Sequence, residues 1–316
     1  MGTQVRVTLV SADSAADAPR ARAALEVFTR LDSILSNWTT TSEVARLNRE
    51  AAAGATPVQE DAARVLEAAL RVGRESAGAF DITVEPLVRA WGFLGGRPRV
   101  PAPAEAEAAF ARVGLHQLEF DPAARTLRFA REGVRIDLGG IAKGYAVDRA
   151  AEVLAAHGVR DALVDISGNM AALGAPAGAP HWRIGIRDPR DRMPYFARLR
   201  FDRPGISTSG KYEQFVAADG RTYGHIMDPR SGRPAEGLIS VTVLAPSAME
   251  ADAWSTALFV LGPAEARRVA VERAELEAIL VSPGAAGVDP VWVERGLAGR
   301  FQLEAGAAGM FHVELF

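Results

Sequence analysis

The chain has 316 residues, 48% of them hydrophobic and 24% charged, with a formal net charge of −3. That profile fits a soluble globular protein long enough for one large or two ordinary domains, and it carries no basic footprint for nucleic acid. Cysteine is absent, which excludes disulfides, thiolate metal sites and a cysteine nucleophile but fits either redox compartment.

The start, MGTQVRVTLVS, reads as a strand, with Val5–Val10 alternating, and not as a signal peptide. No run approaches the length of a transmembrane helix. Both features fit a cytoplasmic protein or an exported one whose leader has been removed. Helical spacing predicts helices over Ala15–Leu35 and Asp61–Ser76. Between them Trp38 stands in a polar loop, SNWTTTSE, where a large aromatic can stack on a planar ligand or cover the core. Gly78 suits a helix C-terminus. In the following GAFDITVEPLVRAWGF, Phe80 reads as core and Asp81 and Thr83 as caps. Residues 94–105, LGGRPRVPAPAE, form a Pro/Gly-rich connector, the one candidate boundary inside what otherwise reads as a single domain over 1–316.

Short strands are expected at Gln117–Phe120, Thr126–Phe129 and Val134–Asp137. They should be followed by a double-glycine turn at Gly139–Gly140 and a helix from Ile141 to about Ala156. This segment, VRIDLGGIAKGYAVD, sets a carboxylate (Asp137) at a strand end and a cation (Lys143) in the first turn of a helix. Free N–H groups and the positive dipole end at such a helix start suit phosphate oxygens. It matches neither of the standard glycine-rich phosphate motifs, and an ordinary strand–turn–helix with a solvated lysine explains it equally well.

Further strands are expected at Ala162–Ile166, Trp182–Ile186, Phe196–Phe201, Tyr212–Ala217 and Leu238–Leu244, with Ser207–Gly210 as a hydroxyl-rich turn. His225 falls at a strand end before the turn DPRSG, placed either for general-base work or for a structural hydrogen bond. Ser247 and Glu250 form a capping box, so a helix should begin at about Ala248. That puts Asp252 and Thr256 one turn apart on one face of a largely apolar helix. A hard cation such as Mg²⁺ would satisfy both. Equally, Thr256 could bond back to a helix carbonyl while Asp252 caps a loop. From Leu276 onward the tail reads as mixed strands and turns. Strands and helices alternate without a βαβ cadence, so the fold class is α+β.

Taken together and in this order, these segments resemble the ApbE family of flavin transferases over nearly the whole chain. The most specific blocks are Asp137–Asp148, His225-Ile226-Met227-Asp228-Pro229 with Ser231-Gly232, and Ala251-Asp252-Ala253 leading into Ser255-Thr256-Ala257. The resemblance implies an α+β, T-fold-related architecture of mixed sheets and packed helices, with an active site between two lobes. It implies Mg²⁺-dependent transfer of FMN from FAD to a threonine or serine hydroxyl of an acceptor protein, such as a redox-complex subunit, with release of AMP. Carried over by position, the FAD site would comprise Met1, Trp38, Ala79, Phe80, Asp81, Asp137, Lys143 and Ile226. The metal ligands would be the Gly140 carbonyl, Asp252 and Thr256, and His225 the base. Trp38 stands where a tyrosine or another aromatic is common, preceded by Leu35 in place of the usual methionine, with Ser167 where glycine is typical and Lys211 where aspartate is frequent. Because family members usually act on exported or membrane-bound acceptors, the resemblance favours the cell envelope. Two rival readings remain open: hydrolysis of FAD to FMN and AMP, and a flavin-binding protein without catalysis.

Overall fold

The structure, a computed structural model, describes residues 3–11, 14–218 and 220–316; Met1 lies outside the described residues. Seven α-helices occur among them: α1 (Ser14–Leu35), α2 (Glu43–Glu50), α3 (Glu60–Glu75), α4 (Glu85–Ala90), α5 (Pro103–Phe110), α6 (Ala142–Ala156) and α7 (Ala248–Glu272). The chain divides into two compact units. One comprises Thr29–Ala142 and Glu213–Ala235; the other comprises the described residues up to Phe28, Lys143–Tyr212 and Glu236–Phe316. Residues 94–105 fall inside the first unit, and α5 begins within them at Pro103.

In the first unit α3 buries Ala62, Val65, Leu66, Ala69 and Val72, the 3- and 4-residue spacing of one helix face. Its end is closed by Gly78, whose φ of 79° only glycine adopts without strain and whose N–H reaches the Gly73 carbonyl at 2.8 Å. A second cluster packs Leu87, Trp91, Phe93, Val113 and Met227, with the Trp91 and Tyr223 rings 5.2 Å apart. Small sheets complete the unit. Thr126–Phe129 pairs with Leu118–Asp121 and with Thr56–Pro57, and Phe215–Ala218 forms a hairpin with Arg221–Gly224.

Residues 134–137 form no strand, contrary to their β-rich composition. Their backbone is satisfied by other means. The Asn48 side-chain amide donates to the Ile136 carbonyl at 3.0 Å and accepts from its N–H at 2.7 Å, and Asp137 N–H reaches the Ile82 carbonyl at 2.7 Å. A buried amide side chain thus stands in for a neighbouring strand.

The second unit is built on an eight-stranded sheet. Its order is Val5–Leu9, Ala162–Ile166, Asn169–Leu173, Gly205–Gly210, Ser240–Ala245, Glu277–Val281, Asp289–Val293 and Phe311–Leu315. All neighbours run antiparallel except the last pair. One core joins this sheet, through Ile206, Leu244, Ile279, Val291 and Val293, to a three-stranded sheet carrying Trp182, Ile184, Leu199 and Phe201. Phe196 and Phe311 stack there at 4.4 Å. The Ser/Gly-rich stretch 207–210, expected as a turn, is strand: Gly205–Gly210 pairs residue for residue with Ser240–Ala245. Serine and glycine are poor strand formers by composition, and pairing with a fully buried neighbour overrides that preference. Conversely, the strand expected over Tyr212–Ala217 starts only at Phe215.

Candidate active site

The first turn of α7 is fixed by two caps. Ser247 is the N-cap, its Oγ accepting from the Glu250 N–H at 3.1 Å. The Asp148 carboxylate, arriving from α6, accepts from the N–H groups of Ala248 and Met249, each at 2.8 Å. Burial pushes the Asp148 carboxyl up to about 6; the two amide bonds oppose the shift, and the nearby charges of Glu152 and Asp252 add to it. With its start pinned, α7 delivers Asp252, 3% exposed, to the first turn of α6, where Oδ2 accepts from the Gly144 N–H at 2.9 Å. The helices approach so closely that a Cβ on Gly144 would lie 2.1 Å from the Ala248 carbonyl oxygen.

A row of oxygen groups surrounds Asp252. Ser207 and Ser209 alternate onto the α7 side of their strand, as the two-residue period requires. Ser209 Oγ lies 2.8 Å from Ser255 Oγ and 3.2 Å from Thr256 Oγ1. Ser207 Oγ donates to Asn169 Oδ1 at 2.7 Å and lies 3.3 Å from Ser255 Oγ. Thr256 Oγ1 bonds back to the Asp252 carbonyl at 3.3 Å, as the plain structural reading of its spacing required. No group of three His, Asp or Glu placed to hold a metal ion occurs among the described residues. The donor set is one carboxylate with several hydroxyls, hard oxygen ligands of the kind Mg²⁺ uses when a substrate phosphate completes its shell.

In the first unit, Asp81 caps the short 3-10 helix Ile82–Val84. Its Oδ1 accepts from the Thr83 N–H at 2.7 Å and from the Thr83 hydroxyl at 2.5 Å. Burial raises its pKa above the usual carboxylate value, opposed by those same bonds. Ala79 and Phe80 are buried beside it. The bond from Asp137 N–H to the Ile82 carbonyl brings Asp137 to this loop, and Asp137 Oδ1 closes the double-glycine turn by accepting from the Gly139 N–H at 2.8 Å. Gly140 is half-buried in that turn, one side chain before α6.

His225 follows the hairpin. Its Nδ1 lies 3.3 Å from the Gln214 carbonyl, and its ring meets Phe93 edge-on at 6.4 Å. A carbonyl only accepts, so the hydrogen sits on Nδ1 and Nε2 is the basic nitrogen. Gln214 and Phe93 line a cavity of about 420 Å³ together with Phe215 and Trp38, and Trp38 is 64% exposed. Ile226 is half-buried next in sequence, its carbonyl accepting from Ala235 N–H at 2.8 Å.

The expected residues therefore gather within each unit. Asp252 meets the helix that carries Lys143, with Thr256 one turn further along α7, while Ala79, Phe80, Asp81 and Asp137 meet at one loop. Ser207 and Ser209 belong to the stretch expected as a hydroxyl-rich turn and Ser255 to a block of the family resemblance, whereas Asn169 near Asp252 and Asn48 behind Asp137 carry no signal in the sequence.

A model of the ApbE family matches residues 1–280 of this chain. The chain is 37% identical over 278 residues to the FAD:protein FMN transferase of Salmonella typhimurium, covering 85% of this chain and 79% of that protein. The flavin transferase ApbE from Vibrio cholerae superposes with a TM-score of 0.84 at 28% identity, over 95% of this chain and 96% of that one. The apo flavinyl transferase ApbE of Pseudomonas stutzeri superposes with a TM-score of 0.80 at 36% identity, over 90% and 89% of the two chains.

Proposed function

The chain belongs to the ApbE family, and from that premise we propose how its own residues move FMN from FAD to a threonine or serine hydroxyl of an acceptor protein. In the reaction the acceptor oxygen forms a bond to the phosphorus of the FMN half. The bridging P–O bond breaks, its electron pair leaves with AMP, and the hydroxyl proton passes to a base.

One observation carries this reading: a buried carboxylate, Asp252, held by a helix-start N–H and 3.5 Å from the Ser207 hydroxyl, at the end of a run of linked hydroxyls. Asp252, Thr256 and the Gly140 carbonyl would hold Mg²⁺, which when bound supplies several kcal/mol of charge stabilisation to the diphosphate. Lys143 adds a positive charge from the first turn of α6. His225 accepts the hydroxyl proton on Nε2, a step worth about 10² to 10⁴ in rate, while the Gln214 carbonyl fixes the tautomer. Ala79, Phe80, Asp81, Asp137 and Ile226 line the dinucleotide site, and exposed Trp38 offers a face to the flavin. The same reading puts the enzyme at the cell envelope, acting on an exported acceptor such as a redox-complex subunit.

Mass spectrometry of a threonine-bearing acceptor after incubation with FAD, Mg²⁺ and this protein tests the proposal. The expected result is a gain of one FMN, lost when the metal is chelated. AMP release at full rate without acceptor, and no mass gain with it, would make the protein a hydrolase.

A further inference from the structure

Ser207, Ser209, Ser255 and Thr256 bring their hydroxyls together beside Asp252. Each hydroxyl has a single proton to give, so the groups around it that only accept fix where that proton goes. Asn169 Nδ2 donates to the Ile166 carbonyl at 3.3 Å, which turns Oδ1 toward Ser207, and Ser207 Oγ donates to Oδ1 at 2.7 Å. Ser207 therefore gives no proton to Ser255. The Asp252 carbonyl is a pure acceptor with two lone pairs, one of which takes the helix N–H four residues on. Of the two hydroxyls that reach the other, Ser255 Oγ is nearer at 2.9 Å and Thr256 Oγ1 lies at 3.3 Å. With the Ser255 proton on that carbonyl, Ser209 is the donor in the 2.8 Å contact between the two serines. Ser209 then has only lone pairs left, and Thr256, 3.2 Å away, donates to it. The protons run one way, from Thr256 through Ser209 and Ser255 to the Asp252 carbonyl, and Ser255 is wholly buried.

We propose that Ser209 is a positioning residue for the cation site: by accepting the Thr256 proton, it leaves the Thr256 oxygen with lone pairs to offer. The inference rests on Asp252 and Thr256 as metal ligands. A hydroxyl ligates a hard cation through an oxygen lone pair, and a proton turned to the same side repels the ion. Without Ser209 the Thr256 proton has only the Asp252 carbonyl, already occupied by the helix N–H and Ser255. Removing Ser255 as well clears that carbonyl for Thr256 and restores the direction of its proton.

The test is Mn²⁺ binding by the protein with FAD and no acceptor, read from the EPR signal of free Mn²⁺, an ion that takes the same oxygen ligands as Mg²⁺. Ser209→Ala should weaken binding by about three- to tenfold, the range of one neutral hydrogen bond. Ser209→Cys, close to serine in shape but a poor acceptor, should show the same loss and carries the test if Ser209→Ala fails to fold. Ser209→Thr keeps the hydroxyl on a side chain suited to a strand and should bind as the parent does. Ser209→Ala with Ser255→Ala should bind more tightly than Ser209→Ala alone. A purely structural role for these serines makes the double variant the weaker one, and that result overturns the proposal. Parental affinity in both Ser209→Ala and Ser209→Cys overturns it too. Thr208 and Thr242 share a 2.9 Å hydroxyl contact on the opposite face of the same strands, so Thr208→Val with Thr242→Val should keep the parental affinity. An equal loss there would assign the effect to the strand and reject the role of Ser209. A parent that binds no Mn²⁺ refutes the metal site itself, a failure distinct from a parent that binds and a Ser209→Ala that binds equally well.

Discussion

Gly144 donates its backbone N–H to Asp252 Oδ2 at 2.9 Å across the closest approach of α6 and α7. Asp252 is thereby tied to the helix that follows the double-glycine turn and carries Lys143. The contact needs a residue without a side chain, since a Cβ at position 144 would meet the Ala248 carbonyl at 2.1 Å and Asp252 Cβ at 2.8 Å.

Gly144→Ala should therefore push the two helices apart although alanine is the better helix former. Overpacking of this kind costs about 1 to 3 kcal/mol or more. Thermal unfolding should show a lowered Tm, and FMN transfer should fall further than the stability loss explains, because Asp252 moves with α7. A variant as stable and as active as the parent would show that the contact is slack.

Asp252→Ala should abolish FMN transfer, since it removes the one carboxylate of the oxygen cluster. His225→Ala should leave a measurable residue, because a general base contributes only about 10² to 10⁴. Single-turnover assays of both variants with FAD and excess Mg²⁺ compare them directly; equal residual rates would contradict the assigned roles.

Asn48 holds the Ile136 N–H and carbonyl with both ends of its amide. Asn48→Ala leaves two buried backbone groups unpaired at about 1 to 3 kcal/mol each, and it loosens the segment that positions Asp137. Denaturant unfolding should report a loss of several kcal/mol, and FAD affinity should drop with it. A change below about 1 kcal/mol would mean that another donor or water takes over.

Asp148 makes a pH prediction. Its folded pKa, about 6, lies above the ordinary value of 3.8 because the carboxyl is buried. The folded state then binds the proton more tightly than the unfolded chain does. The stabilising contribution is complete below about pH 4 and is lost as the pH rises through 6. Urea unfolding in chelator, repeated from pH 4 to 7, should show this slope in the parent and its loss in Asp148→Asn. A parent slope unchanged by the substitution would assign it to other groups.

Local sequence determined a good deal of this protein. The capping box at Ser247–Glu250 set the start of α7 at Ala248, and the 3- and 4-residue spacing of Val65, Leu66, Ala69 and Val72 gave α3. The alternation in Ala162–Ile166 and Trp182–Ile186 gave those strands to the residue. Each is a short-range preference, decided by capping groups or side-chain period within a few positions. Spacing also put Asp252 and Thr256 on one face of a helix, and the ordered blocks around Asp137, His225 and Asp252 identified the family.

Tertiary structure decided what partners those residues meet. Residues 207–210 carry turn-like composition and became a strand because a buried strand pairs with them throughout, which turns Ser207 and Ser209 toward α7. Residues 134–137 carry strand-like composition and joined no sheet; Asn48, distant in the chain, takes the Ile136 N–H and carbonyl, and the Ile82 carbonyl takes the Asp137 N–H. The same holds for Gly144 against Ala248 and for Asp148 on the first amides of α7. Hydrogen bonds and steric contacts over such separations depend on where the backbone is carried by packing elsewhere, and no local pattern encodes that.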